Sequence, residues 1–376
     1  ALYDDSNMLN LDYSIKNLGA FSKKLDFQFY HSDVIHPMST KYRVSSSAPQ
    51  VATATNSNNE IISKLSTDMD GFKVKNAFDL NASSEAAIGL DFSKRNWDGE
   101  YIGFGVKAPV TGRTSINDVD TDDIAIFAEF EKRYTDFTLK VGARYDDVTI
   151  KPDGTQQSND YSYFSAFIKG AYQLNNATNV FAGFGKSSRV PDARELYWKL
   201  SNGVELGTPD LDKTDNYEID LGMENNFENL TIKTTIFYSW LKNYIHYNDS
   251  KNVNNQENVD ATMYGFGITG LYSFTDDIYL DFGLAYQRGK KDNALTGQTD
   301  KDLANVTPAK LNLGLNYDYR ANGTIKAEVV AVDTWDNYDA DNGEQEIDSY
   351  AVLNLKVRHD LNKNFDVTLG IDNVFN

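Results

Sequence analysis

Apolar and polar residues alternate along most of the chain. From Asp276 onward, Ile278, Leu280, Phe282, Leu284 and Tyr286 fall on one side, and Tyr279, Asp281, Gly283, Ala285 and Gln287 on the other. A side-chain period of two marks a strand with one apolar and one polar face. The split recurs. Leu139, Val141, Ala143 and Tyr145 oppose Lys140, Gly142, Arg144 and Asp146. Leu311, Leu313, Leu315 and Tyr317 oppose Asn312, Gly314, Asn316 and Asp318. Leu353, Leu355 and Val357 oppose Asn354, Lys356 and Arg358, and Phe365, Val367, Leu369 and Ile371 oppose Asp366, Thr368, Gly370 and Asp372. About sixteen strands fit the chain, each running opposite to the last. No stretch approaches the roughly twenty apolar residues of a membrane helix.

The connections alternate as well. Tight turns fall at 17–19, 133–136, 174–177, 274–277 and 361–364. Long polar connections are expected at about 32–70, 94–122, 147–160, 187–214, 243–261, 288–308 and 333–348. A soluble β-sandwich also alternates, but its connections keep no short–long rhythm. A membrane barrel does, with an apolar face toward lipid and a polar face toward a wet lumen. The predicted fold is all-β: a transmembrane antiparallel β-barrel, with residues 1–376 as one partial barrel domain. Leu280, Leu284, Leu313, Leu355 and Leu369 should face lipid, and Asp281, Asn312, Lys356 and Asp366 the lumen. With 23 Tyr and 21 Phe, aromatics should ring the strand ends. Tyr145, Tyr172, Tyr217, Tyr272, Tyr286, Tyr317, Tyr319 and Tyr350 are the candidates.

Composition removes several classes. Lys and Arg number 36 against 55 Asp and Glu, a net charge of −19, which disfavours a nucleic-acid partner. The absence of cysteine excludes disulfides, thiol nucleophiles and iron–sulfur clusters. The start, Ala1-Leu2-Tyr3-Asp4, shows no basic and apolar signal regions. Chemistry for an enzyme is thin. His246 beside Tyr244 and Asp249 is the one suggestive grouping, and no serine accompanies it. Asp118, Asp120, Asp122 and Asp123 lack the glycine of a calcium loop and read as a solvated acidic loop, as does Asp336 to Asp348. Glu129 and Glu131 share one strand face, which places them in the lumen. No enzyme activity and no resident cofactor are expected.

Three segments carry a resemblance: "SRVPDARELYW" with Arg189, Pro191, Glu195 and Leu196; "GTPDLDKTDNYEIDLGME" with Gly207, Pro209, Asp210, Leu211, Tyr217 and Glu218; and "VTLGIDNVFN" with Gly370, Asn373 and Phe375. Together these resemble the TonB-dependent outer-membrane receptors. The resemblance implies a barrel of about twenty-two strands, a plug domain and a TonB box. Neither plug nor box is recognisable here, so the chain reads as an interior fragment or the ordered part of a receptor. It further implies the outer membrane of a Gram-negative cell, lipid and lipopolysaccharide as neighbours, the TonB complex as a partner through the plug, and uptake of a scarce metal or metal chelate.

Within the family, "VIHPMSTKYR" resembles the His-x-Met segment of a copper-receptor branch, with Met69 before the next strand. The expected metal ligands are therefore Met38 and Met69, with His36 as a third donor, and copper as the transported ion. Thioethers select Cu(I), and imidazole suits either copper state. Methionines at loop bases also serve as gap fillers. Ferric siderophore or cobalamin uptake is the alternative, with Tyr197, Trp198, Trp335 and Arg189 lining a vestibule or simply packing a loop. A passive porin or an outer-membrane enzyme is the further alternative.

Overall fold

The computed structural model describes residues 3–19, 22–40 and 60–375. They form one sixteen-stranded antiparallel sheet in which each strand pairs with its neighbours in sequence. Its first half is β1 (Asp5–Lys16), β2 (Ser22–Ser39), β3 (Ile61–Asn81), β4 (Ser84–Gly103), β5 (Thr114–Arg133), β6 (Phe137–Pro152), β7 (Asn159–Asn175) and β8 (Thr178–Arg189). A five-residue helix, α1 (Ala193–Tyr197), follows. The second half is β9 (Thr214–Asn226), β10 (Leu230–Tyr247), β11 (Gln256–Ser273), β12 (Ile278–Lys291), β13 (Lys310–Arg320), β14 (Gly323–Val332), β15 (Tyr350–Asn362) and β16 (Phe365–Ile371). The order is that of a meander, with β1 and β16 as its edges.

Three of the tight turns are built on asparagine, and the 274–277 turn on Thr275, whose hydroxyl accepts from the Ile278 amide at 3.0 Å. The amides of Ser83, Ala177 and Asn364 donate to the side-chain oxygens of Asn81, Asn175 and Asn362 at 3.0, 2.9 and 2.9 Å. A side chain that mimics a backbone turn lets each hairpin reverse within a few residues.

Which face is concave follows from ion pairs. Lys75 on β3 reaches Glu129 on β5 at 2.6 Å, Arg144 on β6 reaches Asp91 on β4 at 2.9 Å, and Lys326 on β14 reaches Asp281 on β12 at 3.1 Å. Each spans an intervening strand, which requires side chains that converge, so this face lines the lumen. The register puts Leu280 beside Leu315, Leu313 beside Phe282, Leu284 beside Leu311, Leu355 beside Ala327 and Leu369 beside Val357, all on the opposite face. Asp281, Asn312, Lys356 and Asp366 fall in lumen rows, as expected. The outer face carries Leu90 at 59% and Ile126 at 57% exposure. Apolar exposure of this breadth fits a surface bathed in lipid.

Inside, aromatic rings lie over glycines of the next strand. A Cβ on Gly71 would sit 1.9 Å from Tyr30 Cζ, and one on Gly142 2.3 Å from Phe167 Cε1. The missing side chain leaves room for the ring, which covers backbone that glycine would otherwise leave bare.

Outside, Tyr264 and Tyr272 on β11 bracket about 26 Å of strand, the scale of the roughly 25 Å apolar band. Tyr238 stacks on Tyr264 at 6.0 Å between ring centroids, and Tyr272 meets Phe274 edge-on at 4.9 Å. Tyr350 departs from the expected girdle. It pairs with Val332, which pairs with Lys310, a lumen row. The outward residues of β15 are the odd-numbered ones, and Tyr350 is even.

Strands also occupy stretches expected to be loops. β2 continues to Ser39 and β3 begins at Ile61, β4 ends at Gly103 and β5 begins at Thr114. Asp118, Asp120, Asp122 and Asp123 thus belong to β5 and not to a solvated loop. Asn96 donates to Asp118 and Asp120 at 2.6 and 2.9 Å, and Lys94 pairs with Asp120 at 2.8 Å. The reason is physical: above the lipid band the outer face of a strand meets water, as at Asp118, Asp120 and Asp122, and the inner face packs against a loop core, so the apolar-out alternation ends while pairing continues. The connection 41–59 lies outside the described residues.

The face assignment gives a paired prediction. Leu313→Arg should lower stability by about 2–4 kcal/mol, whereas Asn312→Arg one residue away should cost under about 1 kcal/mol. Reversible unfolding of both variants in lipid vesicles measures the difference, and equal costs would contradict the register.

Candidate ligand cavity under the long loops

The connection from β8 to β9 folds back over the barrel mouth. Pro191 has no N–H to continue the ladder, and Asp192 then caps α1. Asp192 Oδ1 accepts from the amides of Arg194 and Glu195 at 2.9 Å each, while Glu195 accepts from the Asp192 amide at 2.9 Å. This is a reciprocal capping box. Arg189 then grips Glu195 with both guanidinium branches, at 2.8 and 2.9 Å. Ala193, Leu196 and Tyr197 are buried against Ile116, Val119, Val148, Ile150 and Leu211. Tyr197 donates to the Gln157 carbonyl at 2.9 Å and accepts from Asn159 at 2.7 Å. Burial pushes its phenol above the ordinary range, so it remains a donor.

With that face fixed inward, the other side of the segment turns to a cavity of about 600 Å³. Arg194 and Trp198, one helical turn apart, line it with the guanidinium 4.9 Å from the indole ring. Met38 and Ser39 of β2, Thr40 just beyond it, Ser63 and Leu65 of β3, Tyr101 of β4 and Tyr247 of β10 form further parts of the walls. Tyr101 donates to the Lys199 carbonyl at 2.7 Å, tying the loop to the barrel. Among the described residues that line the cavity there is no carboxylate. The segment 41–59, which joins β2 to β3, contains no Asp or Glu either. Deeper in the lumen, a second cavity of about 430 Å³ mixes both signs, with Lys73, Lys75, Arg144 and Lys186 against Glu129, Glu218 and Asp220.

The expected ligand set divides. Met38 lines the cavity. His36 shares its lumen-facing row two residues away, with its Nδ1 against Asp4. Met69 does not join them. Met38 lies opposite Ser63 and Met69 opposite Ser32, an offset of six residues, about 20 Å. Metal–sulfur bonds of about 2.3 Å cannot bridge that gap, so Met38 and Met69 do not share one ion. Equal placement at strand ends was expected, but Met69 sits well inside a strand that runs on to Ile61.

The other vestibule candidates divide too. Trp198 reaches the cavity, but Tyr197 is buried in the loop core and Arg189 is held by Glu195. Trp335 bridges to Ile347 through its backbone, on the far side of the sheet sequence. Arg194 and Tyr101 were not singled out by sequence reasoning, although the i, i+4 spacing of Arg194 and Trp198 was a usable signal. His246, expected within the connection 243–261, lies in a strand. It is the next-to-last residue of β10, is buried, and its Nε2 accepts from the Ala304 amide at 3.5 Å and lies 3.2 Å from Asp339 Oδ2.

A family model described as TonB dependent receptor-like, beta-barrel, matches residues 2–374. The chain belongs to that family. Its strands therefore lie in the Gram-negative outer membrane, where short turns face the periplasm and long loops the exterior. The cavity is thus at the extracellular end. The chain is 25% identical over 352 residues to the rhizobactin receptor of Rhizobium meliloti (strain 1021), covering 83% of this chain and 43% of that protein. Its fold is similar to the copper transporter OprC, with a TM-score of 0.83 at 17% identity over 99% of this chain and 59% of the other. It is also similar to the FrpB iron transporter from Neisseria meningitidis (F3-3 variant), with a TM-score of 0.75 at 17% identity over 98% of this chain and 58% of the other. Likeness at these identities shows the fold. The chain spans less than two thirds of the length of each of these proteins.

The loop core yields a test. Tyr197→Phe leaves the Gln157 carbonyl and the Asn159 amide without their buried partner, and should cost about 1–3 kcal/mol. Hydrogen exchange across 190–213 reads the loss, and unchanged protection would remove Tyr197 from its supporting role.

Proposed function

We propose that this chain forms the wall of an uptake receptor for an anionic metal chelate, energised through TonB by way of a plug outside these 376 residues. One observation carries the reading: a chain of net charge −19 keeps every carboxylate off the described lining of its extracellular cavity, and places there a guanidinium on an indole face. No ion pair holds Arg194 among the described residues, so its charge is available to a ligand. A bare cation would find no carboxylate on the described lining, with Glu60 and Asp249 set behind Ser39 and Tyr247. A chelate with an apolar or aromatic body and negative donors would find both stacking surface and countercharge. The likeness to a rhizobactin receptor and to an iron transporter supports this reading.

A second reading rests on a different observation. His36 and Met38 occupy one lumen-facing row two residues apart, and the fold is similar to that of a copper transporter. A soft thioether and an imidazole would favour Cu(I) over hard ions, with the remaining ligands supplied from outside the chain.

Two measurements separate the readings. In the full-length receptor, Arg194→Ala should weaken binding of a ferric tris-catecholate by about tenfold, or about 1.4 kcal/mol, and leave a neutral ferric trihydroxamate unchanged. Equal loss for both would sink the charge argument. If copper is the cargo instead, receptor purified from copper-supplemented cells should carry copper that His36→Ala plus Met38→Ala removes and Met69→Ala does not. Copper-free wild-type receptor would reject the second reading.

A further inference from the structure

β2 and β3 rise side by side past the lipid band, and four polar side chains meet on their outer face. Phe29 and Phe72 pair in the last lipid-facing row. In the next two outward rows His31 lies opposite Asp70, and Asp33 opposite Asp68. Three carboxylates thus share one square of sheet with a single imidazole. Like charges directly opposite each other weaken a strand pair, so Asp33 and Asp68 work against the pairing that holds them.

The neighbouring strands give no relief. Lys94 of β4 lies opposite Asp70, but its ammonium pairs with Asp120 at 2.8 Å. Asn96 lies opposite Asp68, but its amide donates to Asp118 and Asp120 at 2.6 and 2.9 Å. On the other side, β1 presents Leu9 beside His31 and Asn7 beside Asp33. Among the described residues Asp70 pairs with His31, and no lysine or arginine pairs with Asp33, Asp68 or Asp70.

The donor atoms converge. One atom from each of His31, Asp68 and Asp70 lies within 4.8 Å of the other two. His31 Nδ1 and Asp70 Oδ1 are 2.9 Å apart. Two donors at right angles on one ion, each about 2.1 Å from it, are about 3.0 Å apart. That edge therefore already has the dimensions of a coordination site. Asp68 is exposed, and a turn of its side chain closes the third position.

We propose that His31, Asp68 and Asp70 form a site for a divalent transition-metal ion on the outer wall of the barrel. Imidazole beside carboxylate suits Zn²⁺ and its first-row neighbours, whereas Mg²⁺ and Ca²⁺ prefer oxygen alone. Charge agrees. A proton on His31 offsets one of the three carboxylates, and a divalent ion offsets two. Among the described residues, this trio is the one group of three or more His, Asp and Glu donors close enough to share an ion. It is separate from His36 and Met38, which face the lumen from the same strand. An ion held there ties β2 to β3 below the stretch that carries Met38 and Ser63 to the cavity.

The test uses the full-length receptor in detergent, stripped of metal by a chelator and titrated with Zn²⁺ in a calorimeter. Wild type should take up one equivalent that excess Mg²⁺ does not displace. His31→Gln, Asp68→Asn and Asp70→Asn should each weaken that equivalent by at least about tenfold. His36→Gln, on the opposite face of β2, should leave it unchanged. All four changes keep side-chain size at sites that are at least partly exposed, and circular dichroism checks that each barrel is folded. A wild-type receptor that takes up no zinc, or any one of the three ligand variants with wild-type affinity, would overturn the site. So would loss of the same equivalent in His36→Gln.

Discussion

Everything in this chain depends on where its backbone hydrogen bonds go. In hydrocarbon there is no water to satisfy an N–H or a C=O, so a spanning strand must find both of its neighbours. The meander meets this demand in the simplest way, by pairing each strand with the one before and the one after it. Side chains are then forced to alternate between lipid and lumen, and short asparagine turns keep consecutive strands in step. β1 and β16 pair on one side only within the described sheet, and the constraint falls hardest on them.

Above the lipid the demand relaxes, and the chain spends its freedom on the site. Strands continue upward with polar residues on the outer face, and the β8–β9 connection packs a small hydrophobic core against the inner faces of β5, β6 and β10. That core fixes α1, and α1 aims Arg194 and Trp198 at the cavity. Charge is sorted with the same economy. Carboxylates crowd the outer rim and the deeper lumen, where Lys94, Lys75 and Arg144 meet them, and leave the described lining of the extracellular chamber free of them.

The barrel was legible in the sequence because lipid makes alternation strict. Leu280, Leu313 and Leu369 face outward for the reason their spacing gives, and about sixteen strands became sixteen. Legibility ended where the lipid ends. Asp118 to Asp123 looked like a loop because above the lipid the outer face turns polar and the apolar-out period is lost, although pairing with β4 persists. Met69 was placed beside Met38 because strand ends cannot be fixed from hydropathy, and six residues of register separate them. Asp339 was hidden among acidic neighbours. Nothing local marks which one will be buried by a lysine 48 positions earlier, at Lys291. Arg194 was passed over for the same reason: its role is set by what Leu196 and Tyr197 bury on the opposite side.

The face assignment underlies the cavity, the girdles and the charge sorting alike, and it can be measured directly. The chain has no cysteine, so single cysteines placed from Ile88 to Ser93 on β4 can each carry a spin label in lipid vesicles. Labels at Ile88, Leu90 and Phe92 should be reached by oxygen dissolved in the bilayer, and those at Gly89, Asp91 and Ser93 by a water-soluble relaxant. Alternation of the opposite phase, or none at all, would contradict the account.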